Sequence, residues 1–132
     1  MTNSLKILFI DDDDFQTEAR AQLLTDMRHH LVVVVDSFEE VKILYQKGKF
    51  DIVIIDFARD FGLESLNYID TVDPMQKMIT ISENEEYSEG KGCDYCVARH
   101  RRRRMKPPFS FPELVRFIEN FDLTICAYKN KF

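Results

Sequence analysis

The chain has 132 residues, 45% hydrophobic and 31% charged, with four Gly and four Pro, which suits one globular domain and leaves no room for a second of ordinary size. Its longest uninterrupted apolar run, Leu31 to Val35, is far below the roughly 20 residues a membrane helix needs, and no apolar N-terminal segment precedes a small-residue cleavage site. With neither segment present a soluble, cytoplasmic protein without membrane insertion is expected, and a net charge of −5, from 23 acids and 18 bases, argues against wholesale nucleic-acid binding.

Lys6-Ile-Leu-Phe-Ile10 is a short apolar run ending abruptly in acids, the pattern of a strand buried on both faces. Phe15, Ala19, Leu23 and Met27 then recur every four residues, which predicts a helix with one apolar face whose start Asp13 or Asp14 can cap. His29 and His30 fall at its end, where a solvated cap suits the helix dipole better than a catalytic role. Leu31-Val-Val-Val-Val35 predicts a second strand. After it, Ser37 and Glu40 have capping-box spacing for a helix carrying Val41, Leu44 and Tyr45, with Gly48 placed to end it. Ile52-Val-Ile-Ile55 predicts a third strand, Leu63, Leu66 and Ile69 a third helical stripe, and Met78-Ile-Thr-Ile81 a fourth strand.

Gly90 and Gly92 interrupt the helix expected next, and a fifth strand falls either at Tyr95 to Ala98 or at Arg101 to Met105. Pro112, Leu114, Val115, Ile118 and Phe121 mark a last helix. The tail from Asp122 to Phe132, with Leu123, Ile125 and Tyr128, either extends that helix or meets another copy. Strands alternating with helices imply right-handed crossovers and a doubly wound α/β fold with a parallel sheet covered on both faces.

In such sheets ligands gather beyond the carboxyl ends of the strands. There stand Asp11 and Asp12, Asp56, Ser82 and Lys106. Four consecutive aspartates, Asp11 to Asp14, repel a phosphate that a glycine-rich turn would bind. Carboxylates from two neighbouring strands need a cation among them, and oxygen-only ligands with a partial protein shell select Mg²⁺. That ion makes phosphoryl transfer possible, with the Ser82 hydroxyl and Lys106 ammonium available to the equatorial oxygens.

At these residues the sequence resembles the receiver domains of two-component response regulators, from Lys6 to about Phe121. The resemblance is carried by Lys6-Ile-Leu-Phe-Ile-Asp-Asp-Asp13, Phe50-Asp-Ile-Val-Ile-Ile-Asp56, Ile79-Thr-Ile-Ser82 and Lys106-Pro-Pro-Phe-Ser-Phe-Pro-Glu-Leu114, in that order. It implies a flavodoxin-like, five-stranded sheet in the order 2-1-3-4-5, and a single receiver domain with its core at about residues 5–121 and a tail at 122–132. It also implies that Asp56 is the phospho-acceptor, that Asp11, Asp12, Asp56 and the main-chain carbonyl of Ala58 surround Mg²⁺, that Ser82 binds phosphoryl oxygens, and that Lys106 pairs with the aspartyl phosphate. A histidine kinase or phosphotransfer protein is the implied donor. A stand-alone receiver, monomer or weak dimer, then signals by contact with a downstream protein and is at most a self-phosphorylating and autodephosphorylating acceptor rather than a conventional enzyme.

The sequence departs from the family at Asp60, where Pro is usual; at Glu83, where Ala or Gly follows the hydroxyl; and at Arg103, where an aromatic usually stands three residues before the lysine. These departures favour an alternative, a phosphorylation-independent pseudo-receiver acting through its basic face. Arg99 and Arg101 to Arg104 put five of nine arginines into six positions. A solvated edge strand or loop is the expectation there, with a docking surface for an acidic protein, a phosphorylated partner or RNA as the alternative. Three cysteines, an odd number, suit a reducing compartment; Cys93-x-x-Cys96 with His100 lacks a fourth zinc ligand, and Cys126 lies elsewhere, so free thiols are expected.

Overall fold

The computed structural model describes residues 4–11, 14–56, 61–82 and 102–121, with the backbone alone at 14–17. In chain order the elements are β1 (Lys6–Ile10), α1 (Asp14–Arg28), β2 (Leu31–Val35), α2 (Phe38–Leu44), β3 (Ile52–Asp56), α3 (Phe61–Val72), β4 (Met78–Ile81), β5 (Arg102–Met105) and α4 (Phe111–Glu119). The five strands form one parallel sheet in the order β2-β1-β3-β4-β5. The expected doubly wound α/β architecture is therefore present, and the fifth strand is the arginine-rich one.

Inner strands of a parallel sheet are covered on both faces, so alternation disappears and the apolar residues run on. Ile7 to Ile10, Ile52 to Ile55 and Met78 to Ile81 are all buried. Their side chains divide by parity into two cores. Ile7, Phe9, Ile54 and Ile79 pack with Leu24 of α1 and with Leu114 and Ile118 of α4. Leu8, Ile10, Val53 and Ile55 pack on the opposite face with Val41 of α2 and with Leu66 and Ile69 of α3. Each fully buried aliphatic side chain contributes about 1.5–3 kcal/mol relative to exposure.

Helix ends follow local chemistry. Ser110 and Glu113 complete a capping box at α4: the Ser110 hydroxyl accepts from the Glu113 N–H at 3.3 Å while the Glu113 carboxylate accepts from the Ser110 N–H at 3.5 Å. At α2 only half the box forms. The Ser37 hydroxyl accepts from the Glu40 N–H at 3.2 Å, but the Glu40 carboxylate takes the Asp36 N–H instead. Gly48 does not end α2, which stops at Leu44; the glycine sits at φ +81° in a turn closed by the Lys49 N–H on the Gln46 carbonyl at 3.0 Å. A positive φ at the third turn position is the reason glycine is there.

The expectation of a solvated histidine pair fits His29 and fails for His30. His29 is exposed, in the left-handed region at φ 62° just past the last residue of α1. His30 is fully buried. Its Nδ1 accepts from the Leu5 N–H at 3.1 Å, which places the ring proton on Nε2, donating to Glu119 Oε2 at 2.9 Å. Arg28 binds the same carboxylate, its Nε donating to Oε2 at 2.7 Å. The Arg28 hydrogen bond, assisted by that of His30, holds the Glu119 carboxyl below its ordinary range despite burial. This cluster ties the end of α1 to the end of α4 at the amino edge of the sheet.

Candidate functional site

The functional candidates lie at the other edge, and register determines which of them meet. Ile10 of β1 faces Ile55 of β3, so Asp11 and Asp56, one residue further on each strand, fall side by side at the next step. Asp11 is buried, its N–H bonded to the Val35 carbonyl at 3.0 Å, while Asp56 is half-buried. The backbone bond fixes where β1 ends and hence where the Asp11 carboxylate starts.

On the other side of Asp56, β4 and β5 bring the remaining pair together. Ile81 faces both Asp56 and Met105, which sets Ser82 and Lys106 side by side one residue beyond. The Ser82 N–H donates to the Met105 carbonyl at 3.1 Å. Ser82 is buried and Lys106 exposed. One edge of the sheet thus carries, in order across β1, β3, β4 and β5, two carboxylates, a hydroxyl and an ammonium. Asp12 and Ala58, the other two expected metal ligands, lie outside the described residues, as do Asp60 and Glu83.

Arg104 also belongs to this edge, although in the sequence it stands out only as one member of a charge run. It is two residues before Lys106, and its Nε donates to the Ser82 carbonyl at 3.0 Å. The signal that could have identified it is parity: on β5, residues 102, 104 and 106 share a side. The other arginines of β5 are also engaged. Arg102 is ion-paired with Asp70 of α3. Arg103 is buried, its guanidinium carbon 4.6 Å from the centre of the Phe121 ring and its Nη2 3.3 Å from the Phe121 carbonyl oxygen. The expected solvated edge is corrected to that extent. Arg99, Arg101, the alternative strand Tyr95 to Ala98, Cys93, Cys96, His100 and Cys126 lie outside the described residues, as does the 122–132 tail.

A fold with this strand order and these crossovers has counterparts among solved structures. A response regulator receiver domain protein (CheY-like) from Methanospirillum hungatei superposes with a TM-score of 0.72 at 18% identity, over 90% of this chain and 94% of that one. The chain has the receiver-domain fold. The receiver domain of a response regulator from Bermanella marisrubri gives 0.67 at 18% identity, over 89% of this chain and 98% of that one. A response regulator from Thermotoga maritima gives 0.65 at 14% identity, over 92% of this chain and all of that one. At these identities the likeness establishes the receiver fold itself. No family model matches the sequence, and no curated protein matches it.

The donor set on this receiver fold fits a hard divalent cation. Asp11 and Asp56 offer oxygen only, and a pair of carboxylates is the protein share that Mg²⁺ commonly takes, the rest of its octahedron being water and phosphate oxygen. Among the described residues no group of three potential metal-ligating side chains assembles. Among them, too, no helix is long and apolar enough to cross a membrane.

Proposed function

We propose that the chain is a phospho-accepting receiver in which Asp56 takes a phosphoryl group from a histidine kinase or phosphotransfer protein. The observation that carries this reading is the register that sets Asp11 beside Asp56 and Ser82 beside Lys106 at one edge of the sheet. In the reaction an Asp56 carboxylate oxygen attacks phosphorus, an O–P bond forms, the N–P bond of the donor phosphohistidine breaks, and its electron pair returns to the imidazole nitrogen. Asp56 thereby becomes an acyl phosphate.

Asp11, Asp12, Asp56 and the Ala58 carbonyl would hold Mg²⁺, which neutralises charge on the phosphoryl oxygens during transfer. The Ser82 hydroxyl donates to one of those oxygens and the Lys106 ammonium pairs with another. The Ser82 loop is the element the phosphate biases, because its N–H and carbonyl are both anchored on β5 by Met105 and Arg104. A shift of Ser82 therefore moves β5, and the change reaches a downstream protein by contact.

A second reading rests on Arg103. Held under Phe121 in the position where receivers usually have an aromatic, it favours a pseudo-receiver that signals without phosphate. Incubation with acetyl phosphate and Mg²⁺, read by intact mass, separates the two. The proposal expects a gain of one phosphoryl group, lost in Asp56→Asn and on chelation of the metal. An unmodified mass, or uptake unchanged in Asp56→Asn, overturns it.

A further inference from the structure

We propose that the open edge of β2 is a self-association surface, pairing antiparallel with β2 of a second copy about a two-fold axis through Val33. β2 is an outermost strand of the sheet, and among the described residues its only strand neighbour is β1. Edge strands that stay single are usually blunted by charge, proline or a bulge. Leu31-Val-Val-Val-Val35 has none of these. Its Leu31 and Val33 are 59% and 39% exposed, because α2, only seven residues long, does not cover the start of the strand.

The hydrogen-bonding pattern selects the register. The Leu31 N–H donates to the Leu5 carbonyl at 2.9 Å, and the Val35 carbonyl accepts from the Asp11 N–H at 3.0 Å. In a parallel pair such groups alternate, so residues 31, 33 and 35 bond to β1 while Val32 and Val34 direct their N–H and C=O groups outward. An axis at Val33 sets Val32 of each copy opposite Val34 of the other, and both pairs exchange two bonds, four in all. Shifting the axis by one residue to Val32 or Val34 pairs one outward residue with its own copy and leaves the other beyond the end of the partner strand.

Charge selects the direction. Arg28 and His29 precede the strand and Asp36 follows it. Parallel pairing sets Asp36 against Asp36, whereas antiparallel pairing keeps the two carboxylates apart and sets each beside the Arg28–His29 end of the other copy, where Arg28 is already paired with Glu119. The two-fold arrangement closes on itself and stops at a dimer. Two five-residue strands bury well below the ~1,200 Å² of a stable interface, so the association is weak and concentration-dependent.

Sedimentation equilibrium of the full chain from about 5 to 300 μM tests this, a range that brackets a micromolar to sub-millimolar dissociation constant. The expected result is a mass rising toward twice the 15.6 kDa of one chain. Val33→Lys is expected to weaken association at least tenfold, and Leu31→Lys serves in its place if that variant fails to fold by circular dichroism. Met75→Lys, at a 44% exposed apolar residue away from β2, is expected to leave association unchanged, and Asp56→Asn likewise, since pairing does not depend on the acceptor. A monomer throughout the range, or a dimer untouched by a folded Val33→Lys or Leu31→Lys variant, overturns the proposal.

Discussion

Replacing Glu119 by Leu probes the cluster that joins α1 to α4. The substitution leaves the His30 Nε2–H, wholly buried, without its 2.9 Å acceptor, while the Leu5 N–H bond to Nδ1 still dictates the tautomer. An orphaned buried donor costs about 1–3 kcal/mol. The Arg28 side chain is 38% exposed and regains water, so its lost bond adds little. The expected loss is about 2 kcal/mol at pH 7, a fall in Tm on the order of 6–10 °C for a domain of this size, read by thermal denaturation or urea unfolding. The pH dependence has a definite sign. Arg28 and then His30 hold the Glu119 carboxyl below its ordinary 4.5, so the carboxylate contributes fully above that value and less as pH falls through the depressed one. The gap between native chain and variant should therefore narrow as the solution is acidified below about 4.5. Equal stability at pH 7, or a gap that widens in acid, would refute the buried hydrogen-bonded arrangement.

Gly48→Ala is expected to destabilise by about 1–2 kcal/mol in urea unfolding, entirely through its φ of +81°, because nothing lies within 4 Å of the added Cβ. Gly48→Asn should lose less, since asparagine tolerates that conformation. Ser110→Ala removes the capping box of α4 and is expected to cost about 1 kcal/mol in the same assay.

What was legible in the sequence follows from where its signals are strong. β1, β3 and β4 are buried on both faces, and such strands must be written as continuous apolar runs. β5 was not separable from Tyr95 to Ala98 because it is an edge strand whose only apolar residue is Met105; the burial of Arg103 depends on Phe121, eighteen residues away. No periodicity encodes that contact. His30 differs for a similar reason: a histidine after a helix is ordinarily solvated, but this ring is bonded to Leu5 and Glu119, 25 and 89 positions away. The positions of Asp11, Asp56, Ser82 and Lys106 were legible because a parallel sheet delivers its strand ends to one edge. Parity with Lys106 places Arg104 on the same side of β5 once that strand is located, but its hydrogen bond to the Ser82 carbonyl leaves no mark on composition.

The engagement of Arg102, Arg103 and Arg104 also changes what the basic run can offer to a visitor. A polyanion arriving at β5 meets guanidinium groups already committed to Asp70, Phe121 and Ser82. Reaching Arg103 means displacing a buried contact, and reaching Arg102 means competing with Asp70, so these side chains serve as mortar within the wall before they serve as hooks upon it.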